Sequence, residues 1–156
     1  MFKNLQQDEN EIFYIGVKAL IKNSLGQILV VHDTPRIKVD GRSETYWDIP
    51  GGRVQLDERA LVNTLKREIE EELGITNLKV GKLFDCTISN HYSEFDEKRR
   101  VALCLVVYLC QIPDYTKIIL STEHDDFEWV STPDAAIRLE NKYSKEFTKK
   151  VASLHE

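Results

Sequence analysis

The amino-acid sequence predicts an α+β fold in which a mixed β-sheet carries helices on both faces. Stretches of apolar and β-branched residues at 13–21, 27–32, 78–89 and 100–112 have the length and composition of strands. A run without Pro or Gly over 58–73 places its apolar residues at helical spacing. Two further helical segments, 132–139 and 143–154, close the chain.

At 156 residues, with 42% apolar and 30% charged composition, the chain is expected to form one domain, residues 1–156, with a substantial core. A net charge of −5 argues against a surface that coats nucleic-acid polymers, although a polyphosphate ligand still needs local cations or metal. Cys86, Cys104 and Cys110 form no CxxC pair and leave one thiol over in any disulfide scheme, which fits a reducing cytoplasm. The polar residues 1–12 lack the apolar core of a signal peptide, and the longest apolar run, 101–110, is too short to span a bilayer, so a soluble protein without a membrane partner is expected.

In chain order, 13–21 and 27–32 make a hairpin around the turn at 23–26. Residues 34–45 form a loop with Arg36, Lys38 and Arg42, either a solvated connection or a phosphate contact. Residues 46–49 are extended and lead to Pro50, Gly51 and Gly52, where fixed φ and absent side chains predict a tight, bare turn able to offer carbonyls to an ion. The helix then runs over about 58–73, with Asp57 or Glu58 as the N-terminal acid and Gly74 at a left-handed C-cap. At about 100° per residue, Leu61, Val62, Leu65, Ile69 and Leu73 share the core-facing sector and Glu70 lies on the far side. With Glu68 at zero, Glu72 projects at about 40°, within the apolar sector, and Glu71 at about 300° on the adjoining flank.

Three carboxylates therefore share one edge, and Glu72 points partly inward. A half-buried carboxylate among like charges is costly unless a cation compensates it. A divalent ion resolves the conflict, and an oxygen-rich set suits Mg²⁺ or Mn²⁺ rather than zinc. The plainer alternative is a solvated acidic face paired with Lys66 and Arg67, which predicts no metal dependence.

Beyond the helix, strands at 78–89 and 100–112 flank a charged loop at 90–99, whose His91, Tyr92, Arg99 and Arg100 either line a nucleotide pocket or form an ordinary polar connection. Phe127, Trp129 and Val130 indicate a short strand after Glu123 and His124, with His124 expected at the surface or as a cap. In the last helix Phe147, Val151 and Leu154 face inward.

The stretch from Gly52 to Ile75 resembles the signature of the Nudix hydrolases, G-x5-E-x7-R-E-U-x-E-E-x-G-U with U a bulky aliphatic residue. Arg67, Glu68, Ile69, Glu71, Glu72, Gly74 and Ile75 match the second half. Gly52 and Glu58 keep the first spacing, but eight residues rather than seven separate Glu58 from Arg67, an insertion expected in the loop or first turn. Trp47 shortly before Pro-Gly-Gly, and the Glu-His pair shortly before Trp129, extend the likeness.

The resemblance implies an α/β/α sandwich and hydrolysis of a phosphoanhydride in a nucleoside diphosphate linked to another group. It further implies that Glu68 and Glu72, with the Gly52 carbonyl, ligate Mg²⁺ or Mn²⁺. Glu71 would take a further ion or orient water, and Arg67 would hold a glutamate by a forked hydrogen-bond pair. An additional carboxylate is expected from Glu123, also the candidate general base, ahead of Glu128. Arg36, Arg53 and Arg100 are the candidate substrate-binding residues, and a homodimer is common among such proteins. The competing reading within the family is a catalytically silent nucleotide sensor or interaction module.

Overall fold

The computed structural model describes residues 12–37, 41, 43–96 and 99–154, with the backbone alone at 36–37, 43, 94–96 and 99–100. The strands are β1 (Phe13–Lys22), β2 (Ile28–Asp33), β3 (Arg36–Ile37), β4 (Ser43–Glu44), β5 (Trp47–Asp48), β6 (Gly51–Arg53), β7 (Lys79–Asp96), β8 (Arg99–Gln111) and β9 (His124–Val130). The helices are α1 (Leu61–Leu73), α2 (Thr132–Arg138) and α3 (Lys145–Ala152).

The main sheet is mixed: its central path is β5-β2-β1-β8-β7, with β6 on β1 and β9 on β2. The β1–β8 pair is parallel, while β2 and β6 pair with β1 antiparallel. Alternation along β1 explains the layering, because successive side chains leave opposite faces. Val17, Ala19 and Ile21 meet Leu65, Ile69 and Leu73 of α1 on one face. Leu20 lies in the other apolar layer, with Ala135, Ala136, Tyr143, Phe147 and Val151 from α2, α3 and their connection. Helices thus cover both faces, as the sequence predicts.

Several boundaries differ from the sequence expectation. Helix α1 starts at Leu61 rather than 58, and Ala60 occupies the N-cap with no side-chain hydrogen bond. The additional residue is absorbed ahead of the helix, where the chain turns at residues 56–57 and Glu58 commits its carboxylate to Arg67 and to the Gln55 N–H instead of capping. The bare turn at Gly51 and Gly52 is instead the short strand β6, opposite Lys18 and Val17. Residues 90–96 continue β7 rather than forming a loop. A polar run can extend a ladder when its backbone has a partner, and the register shift between Ile88 and Tyr92 absorbs the mismatch.

One buried polar cluster ties the two faces together. Asp48, 2% exposed, accepts from Lys18 Nζ at 2.9 Å, Lys142 Nζ at 2.6 Å and the Tyr143 hydroxyl at 2.6 Å, and from the Ile49 N–H at 2.8 Å. Burial opposes ionisation of Asp48, but the two lysines and the Tyr143 hydroxyl reverse that and hold its pKa far below the usual carboxylate range. No helix among the described residues is long and apolar enough to cross a membrane.

Candidate active site

The site is assembled where β6 crosses the flank of α1. The Pro50 carbonyl accepts from the Ala19 N–H at 2.8 Å and delivers the chain into β6. Gly51 has φ 144°, and any Cβ there would overlap the backbone of Val17 and Lys18. Its N–H donates to Glu72 Oε2 at 3.1 Å. A Cβ on Gly52 would occupy the position of the Glu68 carboxylate. The two glycines therefore let two carboxylates, one helical turn apart, lie directly against the strand.

Burial sorts the acids of α1 as the helical phase predicts. The Glu72 and Glu68 side chains are 6% and 14% exposed, whereas that of Glu71 is 58% exposed. Burial raises the pKa of Glu68, and the Glu72 and Glu71 charges add to this, while Arg67 partly offsets it. Arg67 makes a forked pair to Glu58, Nε to Oε2 at 3.0 Å and Nη2 to Oε1 at 2.8 Å. Its Nη1 reaches Glu68 at 2.9 Å and Glu71 at 3.1 Å. The Arg67 fork, with the Gln55 N–H, lowers the Glu58 pKa to about 2. Across the extra residue, Glu58 is the forked partner of Arg67.

His124 corrects the sequence expectation of a surface or capping residue. It opens β9 and is buried, with Nδ1 at 3.1 Å from Asp33 Oδ1 and Nε2 at 3.2 Å from Glu72 Oε2. Burial lowers its pKa, but the Asp33 and Glu72 carboxylates outweigh burial and raise it to about 9. Those distances suffice for charge pairing but the angles do not suit hydrogen bonds, so Asp33 Oδ1 and both ring nitrogens are buried without a directed partner. Ligand atoms of Glu72, Glu123 and His124 lie within 4.8 Å of one another, with Glu123 exposed at the rim. The paired carboxylates of Glu68 and Glu72, packed against the two glycines, are oxygen ligands of the kind a hard divalent ion takes.

The three arginines assigned to substrate are placed unequally. Arg53 has its guanidinium 4.7 Å over the Tyr14 ring and Nη1 at 3.2 Å from Ser93 Oγ. It is in register with Gly16 and so faces away from α1. The side chains of Arg36 and Arg100 lie outside the described residues. Glu128 pairs with Arg138 at 2.7 Å, and its carboxylate is committed there. Asp33 and Tyr46, joined by a hydrogen bond from the Asp33 N–H to the Tyr46 carbonyl at 3.1 Å, escaped the sequence reading. Nothing local marks them, because the β2–β9 register alone brings Asp33 to His124.

A family model of the NUDIX domain matches residues 13–151. The chain belongs to the Nudix family. This Nudix hydrolase resembles a MutT protein of Methanosarcina mazei at 26% identity and TM-score 0.67, covering 92% of this chain and 94% of that one. An Ap4A hydrolase of C. elegans shares the fold at 17% identity and TM-score 0.64, over 88% and 92% of the two chains. The E. coli dihydroneopterin triphosphate pyrophosphohydrolase does so at 14% identity and TM-score 0.64, over 90% and 95%. As a Nudix hydrolase, the chain carries the paired glutamates of the signature on the flank of α1 that meets β6.

Proposed function

We propose that this Nudix hydrolase is a Mg²⁺- or Mn²⁺-dependent pyrophosphohydrolase of the cytoplasm. Its substrate class is a nucleoside diphosphate linked to another group, such as a nucleoside triphosphate or a nucleotide sugar. The observation that carries this reading is the packing of Glu68 and Glu72 against two glycines that leave no room for a side chain. The names of the similar proteins point to the same bond class, since an Ap4A hydrolase and a dihydroneopterin triphosphate pyrophosphohydrolase both cleave phosphoanhydrides.

In this reading Glu68, Glu72 and the Gly52 carbonyl hold the ion, and Glu71 holds a second one or orients water. The bound ion supplies charge neutralisation on the phosphates and a lowered pKa for water. Arg67 fixes Glu58, Glu68 and Glu71 in one cluster, so the ligand geometry is set before substrate arrives. Glu123, exposed at the rim, is the base that accepts the proton of the attacking water. Arg53, together with Arg36 and Arg100, takes phosphate or the distal group. One domain spanning 1–156, paired as a homodimer, completes the proposal.

The test is incubation with Mg²⁺ or Mn²⁺ and a panel of nucleoside triphosphates, ADP-ribose, dinucleoside polyphosphates and sugar nucleotides. The expected result is phosphate or nucleotide release that EDTA abolishes. Ligand binding without release identifies a silent sensor, and neither binding nor release leaves only an acidic helix on a Nudix scaffold.

A further inference from the structure

We propose that Cys86 and Cys104 form an oxidation site, a dithiol on an open face of the sheet that a hydroperoxide converts to an intramolecular disulfide. The inference is independent of the metal-dependent reading above.

The β7–β8 ladder brings the two residues together. Cys86 of β7 stands opposite Val106, and Cys104 of β8 stands opposite Ile88. A step of two residues returns a strand to the same face, so both side chains leave the sheet on one side as diagonal neighbours. Their sulfurs are 3.6 Å apart. A disulfide needs about 2.05 Å, which leaves roughly 1.5 Å for rotation of the two side chains to close.

The surroundings make the pair reachable. By alternation it shares the side of the sheet on which α1 packs farther along β1, but here that side is open. Cys86 is exposed, Ile88 opposite Cys104 is 55% exposed, and Ile15, in register with Cys104 across β1, is 48% exposed. Cys110 provides the contrast. It is buried in the layer beneath α1, and burial pushes its thiol up to about 12, so it stays protonated and out of reach. Burial, with the neighbouring Cys86, also raises the Cys104 pKa. Cys104 therefore holds its proton, and the exposed Cys86 is the sulfur that meets the oxidant first.

The chemistry takes two steps. The Cys86 thiolate attacks a peroxide oxygen, so that an S–O bond forms, the O–O bond breaks and the leaving oxygen takes up a proton. With hydrogen peroxide that product is water. The Cys104 sulfur then attacks the resulting sulfenic acid, the S–S bond forms, the S–O bond breaks, and the departing hydroxide leaves as water with the Cys104 proton. The two thiols give up two electrons and two protons, and one hydrogen peroxide becomes two waters. A reducing compartment holds the pair as thiols, and an exposed disulfide is open to reversal by a small thiol.

The test is treatment of the reduced, desalted protein with hydrogen peroxide, followed by denaturation, alkylation of remaining thiols and mass spectrometry of the whole chain and its peptides. The expected result is loss of two of the three alkylatable thiols, a chain lighter by two hydrogens before alkylation, a peptide pair joining Cys86 to Cys104, and full reversal by dithiothreitol. Cys104→Ser should stop at the first step and leave a sulfenic acid at Cys86 that a 1,3-dione traps. Cys86→Ser should abolish both products, and Cys110→Ser should behave as wild type. Retention of all three thiols in the wild type, a bond to Cys110, or a bond between two copies of the chain overturns the inference. Each of those results leaves the metal-dependent reading intact.

Discussion

Glu72→Gln is expected to lower turnover by about 10³-fold or more, equivalent to about 4 kcal/mol of transition-state stabilisation, while the protein stays folded. The side chain is 6% exposed, accepts a hydrogen bond from the Gly51 N–H and lies 3.2 Å from His124 Nε2 as a charge pair. Glutamine keeps the volume, and its carbonyl oxygen still accepts from Gly51. What it loses is the charge that pairs with His124 and with a divalent ion. Turnover measured on any substrate cleaved by the wild type, together with a thermal melt, checks both halves. A folded Glu72→Gln protein with wild-type kcat would remove Glu72 from the mechanism.

The largest stability effect is expected at Asp48. Asp48→Asn leaves Lys18 and Lys142 buried without their shared counter-charge, and breaking a buried pair in this way costs about 3–5 kcal/mol. The loss should shrink as pH rises toward the titration of Lys142, whose pKa burial already lowers. In the wild type the sign follows from the depressed Asp48 pKa. Its stabilisation is complete above the ordinary value of 3.8 and is lost as pH falls below that toward the folded-state value. Urea unfolding across pH measures both trends. A variant within about 1 kcal/mol of wild type at neutral pH would mean that the cluster carries little net charge.

The helix that organises the site was legible because its information is local. Periodicity over 61–73 fixes which side chains face the sheet, so the inward turn of Glu72 and the outward turn of Glu70 follow from angle alone. The start of the helix was not legible, since Glu58 looks like an N-terminal acid until Arg67 is seen to claim it. His124 was misread for a related reason. A Glu-His-Asp-Asp run looks solvated, but β9 pairs with β2 through an irregularity between His32 and Asp33 that turns the imidazole onto Asp33 and Glu72. The Asp48 cluster joins residues 30 and 94 positions apart, a distance no local pattern spans. Its traces were a lysine inside an apolar strand and an aspartate between Trp47 and Ile49, two breaks in hydrophobic alternation that marked a buried charge pair.

The most direct measurement is the anomalous signal of Mn²⁺ soaked into crystals of the protein. A peak bounded by the Gly52 carbonyl oxygen and the carboxylates of Glu68 and Glu72 is the expected result. Mn²⁺ bound only beyond reach of Glu68 and Glu72, or no bound Mn²⁺ at millimolar concentration, would contradict the proposal that these glutamates gather metal to cleave a phosphoanhydride.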